Sequence, residues 1–119
     1  MSNQEGDATE RTDSLPRDDV YALLASERRR YVLSVLREHE SLSLPDLADE
    51  VALREHDAPL PQVPEDAVLQ VYLSLWHVHV PKLTDADVVA YDQDRDIVTL
   101  AEHAQAVEQF ALADADQST

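Results

Sequence analysis

Apolar residues recur every three to four positions over most of this 119-residue chain, which is the spacing of amphipathic helices. The pattern predicts a short helix over residues 18–24 and a longer one over residues 27–39, with Ser26 as its N-cap. A third helix is predicted over residues 44–55, because Pro45 suits the first turn of a helix and the apolar positions after it share one face.

A fourth and longer helix is predicted over residues 65–80. The connection before it, residues 56–64, holds three prolines and is expected to be extended and stiff. Pro81 lacks a backbone N–H and its ring collides with the preceding turn, so we expect it to kink or end this helix.

Helical spacing divides the long helix into three faces. The inward face is predicted to comprise Val68, Tyr72, Leu75, His79 and Leu83. The polar stripe comprises Gln70, Ser74 and His77. The third face is apolar and comprises Leu69, Leu73, Trp76 and Val80. This is more apolar surface than a small core needs, so we expect it to pack under the proline-rich connection or against a partner subunit.

Two short β-runs, residues 88–91 and 97–100, enclose a charged turn and predict a hairpin. Helices followed by a hairpin indicate a mainly α fold with a two-stranded β-hairpin wing, a winged helix-turn-helix, over residues 17–100. Residues 1–16 are predicted to be a disordered acidic arm and residues 114–119 a disordered tail.

A last helix is predicted over residues 101–113. Its apolar strip comprises Ala104, Val107, Phe110 and Ala111. Because a helix that follows the wing would have little core left to cover, this strip predicts a homodimer interface.

The charge of the chain complicates this picture. Twenty-five acids against nine bases give a formal charge of −16, and Lys82 is the only lysine. Such a balance disfavours polyanionic partners in dilute salt, because Lys and Arg supply non-specific affinity for nucleic acid. An acidic, lysine-poor surface is typical of halophilic proteins, for which molar salt shortens the Debye length to roughly 3 Å and screens the repulsion.

Several other classes of protein are disfavoured. The absence of cysteine removes disulfides and thiolate chemistry, and no phosphate-binding loop or catalytic triad motif is present, so we predict neither an enzyme nor a bound cofactor. His77 and His79 point about 200° apart on a helix and cannot share a metal ion; we expect His79 to be buried and bonded to backbone. No apolar run approaches the length of a membrane span, which predicts a soluble cytoplasmic protein. No motif for a small-molecule ligand is evident either, so we predict none.

The ERRRYVL segment and the HVHVPKL segment resemble the winged-helix domain of many small haloarchaeal proteins, a family without assigned biochemistry. More remotely, residues 79–83 are similar to the segment that closes the recognition helix in arsenical-repressor-like and multidrug-repressor-like regulators. That resemblance implies a dimeric transcription factor that binds double-stranded DNA. The chain departs from those regulators because its long helix has few polar side chains and no Lys or Arg before Lys82.

Two functions remain open. The first is a DNA-binding transcriptional regulator, in which Gln70, Ser74 and His77 read bases and four cations hold phosphates. Those cations are Lys82, Arg95 at the tip of the wing, Arg28 and Arg29, although ion pairing with nearby acids explains Arg28 and Arg29 equally well. The second is a winged-helix module for protein–protein interaction. A neutral or positive surface at the polar stripe favours DNA, whereas an acidic surface with exposed Leu or Trp favours protein.

Overall fold

The computed structural model describes residues 15–109 of the chain. Its first half is a set of three helices, α1 (Arg17–Leu24), α2 (Glu27–His39) and α3 (Leu44–His56). The Ser26 hydroxyl accepts a hydrogen bond from the Arg29 N–H at 3.3 Å, and Ser43 caps α3 in the same way. The first three predicted helices are confirmed to within about a residue at each end, and two of them, α2 and α3, begin at a side-chain cap.

The proline-rich connection differs from its prediction. It contains a 3-10 turn at Leu60–Gln62, in which the Val63 N–H donates to the Leu60 carbonyl at 3.0 Å. Pro59 and Pro61 fit this turn because their fixed φ is close to the 3-10 value. The extended connection that we expected is therefore wrong at this turn, although the flanking residues are extended.

The long helix does not end at Val80 as predicted. Helix α4 (Glu65–Ser74) passes into a π-helical turn (Leu75–His79), which leads directly into α5 (Val80–Asp85). The Val80 N–H donates to the Leu75 carbonyl, five residues back, so the backbone is widened just before Pro81. Because this widening relieves the clash between a proline ring and the preceding turn, the helical run continues past Pro81.

The π-turn also changes which side chains face inward. Along this helical run the buried residues are Val71, Leu75, Val80 and Leu83. The step of five from Leu75 to Val80 replaces the regular step of four, so His79 is only half-buried and Val80 leaves the predicted third face for the core. A regular helical wheel assigns Val80 and His79 to the wrong faces for this reason.

The sheet has three antiparallel strands and not two. Strands β2 (Val89–Asp92) and β3 (Ile97–Leu100) form the predicted hairpin, and β1 (Ser41–Leu42) pairs with the other edge of β3. In the register Leu42 lies opposite Val98, and Tyr91 lies opposite Val98 on the other side. The protein is thus mainly helical with a small three-stranded antiparallel sheet, in the order β1-β3-β2.

The core lies between the helices and one face of this sheet. It is built from small and medium apolar residues, with Leu36, Leu47, Leu75, Leu83 and Val98 fully buried. The segment after the sheet returns to this core: residues 104–109 are helical, and Ala104 and Val107 are buried against it. No helix in residues 15–109 is both long and apolar enough to cross a membrane.

Candidate functional site

The most unusual surface of the described chain is an apolar crest, which we define as Leu69, Leu73 and Trp76. Their exposed fractions are 53%, 42% and 37%, although all three are large apolar side chains on one helical run. Three of the four residues of the predicted third face are therefore exposed in the single chain and are not covered by the proline-rich connection, whereas Val80 is buried. Contiguous exposed apolar side chains on a small protein are typical of interaction surfaces.

A groove of about 600 Å³ runs beside the crest, between α3 and α4. Its walls come from the start of α3, the 3-10 turn and the start of α4. The lining residues are Pro45, Ala48, Asp49, Leu60, Pro61, Val63, Glu65, Val68, Leu69 and Tyr72. Leu69 therefore belongs to both the crest and the groove, which makes them one continuous apolar surface.

Acidic side chains mark this groove. Asp49 and Glu65 line it, and no Lys, Arg or His is among its lining residues. The pKa of Asp49 is raised by partial burial and by the neighbouring charges of Asp46 and Glu50. The ionised carboxylate of Asp49 is thus held in a place that disfavours its charge.

The predicted polar stripe is only partly available. Gln70 and His77 are exposed, but the half-buried Ser74 is engaged within the protein. Its hydroxyl accepts a hydrogen bond from Arg28 Nη1 at 2.9 Å and donates one to the Val71 carbonyl at 3.1 Å. Ser74 therefore serves to join α4 to α2 in this structure.

Arg28 is held by a bidentate ion pair with α3. Its Nε and Nη2 donate to the two carboxylate oxygens of Glu55 at 2.5 and 2.7 Å, and the Glu55 side chain is only 15% exposed. The hydrogen bond with Glu55 raises the pKa of Arg28, although burial opposes it. The ion pair that was one of the two explanations for Arg28 is therefore present in the structure.

Arg29 is also turned towards the protein. Its guanidinium donates to the carbonyls of Leu23 at 2.8 Å and Ala22 at 2.8 Å, and its Nη1 donates to Nδ1 of His79 at 3.2 Å. The predicted backbone partner of His79 is therefore wrong, because the imidazole accepts from a side chain. Burial, followed by the charge of Arg29, lowers the pKa of His79.

The hairpin is anchored to the helices through aromatic and carboxylate contacts. Trp76 meets Tyr91 edge-on, with ring centroids 5.9 Å apart. The Tyr91 hydroxyl and the Leu44 N–H both donate to Oδ1 of Asp96, each at 3.0 Å. Burial and the bond to Asp96 raise the pKa of Tyr91 to about 12. The hairpin is thus fixed against both α3 and the crest.

Two of the predicted phosphate-binding cations remain on the surface. Lys82 is exposed on α5 and forms no ion pair with another residue in the range 15–109. Arg95 is 78% exposed at the hairpin turn and lies 3.9 Å from the Asp92 carboxylate. They are separate from the apolar groove, since neither lines it.

The predicted dimer strip needs correction. Ala104 and Val107 are 5% and 1% exposed within the single chain, so the core of one copy already covers them. The premise that this helix would have little core left to cover is wrong. Backbone hydrogen bonds to Val88 and Asp87, and a contact between the His103 ring and the Ala86 carbonyl, hold the segment against the core. Phe110 and Ala111 lie outside the described residues.

Sequence reasoning missed the groove. Its walls are separated by up to 27 residues in the chain, and no local pattern joins Pro45 to Tyr72. The only local signal was the excess of apolar residues on the long helix. Among residues 15–109 no group of three His, Cys, Asp or Glu side chains is arranged to hold a metal ion.

Comparison with known proteins gives one family. No curated protein and no solved structure is significantly similar to the chain. The profile of a family described as a domain of unknown function, DUF7344, matches residues 21–99, which run from the second half of α1 to the last but one residue of β3. The chain therefore belongs to the DUF7344 family.

Proposed function

We propose that this chain is a winged-helix module that binds a protein partner through the apolar crest and the adjoining groove. The order of helices and strands supports the winged-helix part, since β1 precedes α3 and the helical run α4–α5, and the hairpin β2–β3 follows them. The observation that carries the docking function is the exposure of Leu69, Leu73 and Trp76 on one helical run. Burying such side chains at an interface is favourable by roughly 1 kcal/mol or more for each of them.

The electrostatics of the same helix support protein over DNA. Duplex DNA carries about one negative charge per 1.7 Å of its axis, and binding requires cations to neutralise phosphates. The first turn of α4 instead carries Glu65 and Asp66. Arg28 and Arg29, which the sequence offered as phosphate ligands, already bind Glu55 and backbone carbonyls.

Two parallel selections test this proposal. The full chain, attached through its C-terminus in molar KCl, is offered a random peptide library and, separately, a random duplex library. We expect peptides to be enriched and to be lost with Leu69→Glu. Ile97→Glu is the matched control, because it adds the same charge to an exposed apolar side chain on the hairpin. Enrichment of a duplex, with no peptide enriched, would overturn the proposal.

DNA binding is the second candidate, as a transcriptional regulator. The exposed Gln70, His77 and Lys82 on one helical run, with Arg95 on the hairpin turn, favour it. In near-saturated salt, as in a halophilic cell, affinity would rest on groove fit and hydrogen bonds more than on counterion release. The duplex selection tests it directly: a selected sequence whose binding falls with Lys82→Glu supports this function.

A further inference from the structure

We propose that the groove between α3 and α4 binds a cationic apolar segment of the partner, with Lys or Arg side chains beside two or more apolar anchors. This inference rests on the proposed docking function and adds the chemistry of the partner. Charge complementarity and the shape of the groove carry it.

The groove fits apolar side chains. Eight of its ten lining residues are apolar, proline or tyrosine, and its volume of about 600 Å³ is within the range of ligand pockets. The proline-bearing turn at Leu60–Gln62 supplies one wall and the start of α4 supplies the other. Since Leu69 continues from the groove onto the crest, a bound segment would contact both surfaces.

The charged residues of the groove have one sign. Asp49 belongs to α3 and Glu65 to α4, so a segment lying in the groove between these helices meets a carboxylate from each of them. Asp49 is already repelled by Asp46 and Glu50. A cation placed beside Asp49 offsets that repulsion, whereas an anionic segment adds to it.

The same charges disfavour the other occupants. A second copy of this chain also carries −16, so its approach to an acidic groove is repelled except where salt screens the charges. Duplex DNA is repelled for the same reason. A cationic partner is attracted by the carboxylates that its side chains contact, and in dilute salt also by the net charge of the whole chain.

The composition of the selected peptides tests this inference. We expect an excess of Lys and Arg on either side of apolar anchors. For a synthetic peptide of the selected sequence, the double variant Asp49→Asn and Glu65→Gln should weaken binding about five- to tenfold. Asp85→Asn, an exposed acid on α5 outside the groove, is the matched control and should leave the affinity unchanged. The loss should shrink as KCl rises, over the range in which circular dichroism shows full helix content.

Three outcomes would overturn the inference. Selected peptides without an excess of cations, or equal binding by the double variant, would remove the cationic partner but leave the docking function standing. No enrichment above the Leu69→Glu background would remove both. A concentration-dependent dimer that Leu69→Glu dissolves would assign the groove to a second copy.

Discussion

Removal of the Arg28–Glu55 ion pair should destabilise the fold, because this pair joins α2 to α3 and the Arg28 guanidinium also reaches Ser74 on α4. The relevant change is Arg28→Met, which keeps the aliphatic stem and removes the guanidinium. It leaves the Glu55 carboxylate, 15% exposed, without its bidentate partner. The cost is that of an unpaired, largely desolvated charge.

The exposure of the two side chains sets the magnitude. Exposed ion pairs contribute about 0–1 kcal/mol, and breaking a fully buried pair costs about 3–5 kcal/mol. With side chains 30% and 15% exposed, the Arg28–Glu55 pair lies between these limits. We expect Arg28→Met to lower the free energy of unfolding by about 2 kcal/mol. For a domain of this size that is a fall in Tm of roughly 10 °C.

A double-mutant cycle with Arg28→Met and Glu55→Met measures the pair itself, by urea unfolding followed by circular dichroism at fixed KCl concentration. We expect a coupling energy of about 1.5 kcal/mol. The Arg54–Glu38 pair is the control: its contact is 2.9 Å but Glu38 is 58% exposed, so its coupling should stay below about 1 kcal/mol. A coupling under about 0.5 kcal/mol for Arg28–Glu55 would refute this reasoning and return Arg28 to the surface role that the sequence offered.

Three further predictions concern the contacts of Asp96 on the hairpin, the pKa of His79 and the net charge of the chain. Asp96→Ala should cost about 2–3 kcal/mol of stability, since the Leu44 N–H and the Tyr91 hydroxyl lose their acceptor. Asp96→Asn, which keeps an oxygen there and tolerates the positive φ of 55°, should cost less, and similar urea midpoints for the two variants would contradict this. The folded pKa of His79 lies below its ordinary value of 6.5, so the unfolded chain binds the proton more tightly. The contribution of neutral His79 to stability is then fully present above pH 6.5 and is lost as the pH drops through the folded pKa. His79→Gln should flatten this part of a profile of urea midpoints measured between pH 8 and 5. Identical profiles for the two proteins would exclude His79 as the cause. Finally, a charge of −16 should make folding depend on salt, and circular dichroism melts that agree at about 0.05 M and about 2 M KCl would contradict the halophilic interpretation.

The contact between Tyr91 and Asp96 can also be tested by spectroscopy. The pKa of Tyr91 is raised to about 12 by burial and by the bond to Asp96, so an ultraviolet titration should show an ionisation step well above the ordinary tyrosine pKa of 10. Tyr91→Phe should remove that step. If the step persists in Tyr91→Phe, the high-pKa group is another residue.

Local sequence pattern was sufficient for the elements of this protein. The helical period, the cap at Ser26 and Pro45 in a first turn predicted the first three helices, because these signals act within a few residues. The hairpin followed from two β-runs around a polar turn, and β3 was predicted with its observed bounds. The apolar excess on the long helix predicted packing under the proline-rich connection or against a partner subunit, and three of its side chains are 37–53% exposed in the single chain.

Only the tertiary structure decided the contacts that join these elements. Strand β1 is two residues long and pairs with β3 more than fifty residues later, so no local period reveals it. The π-turn before Pro81 places Val80 in the core and not on the predicted third face, which a regular helical wheel does not show. The sequence allowed an ion pair for Arg28 but could not name its partner, because Glu55 is 27 residues away. The groove likewise exists only where α3 packs on α4, since burial and charge pairing depend on distance in space and not on distance along the chain.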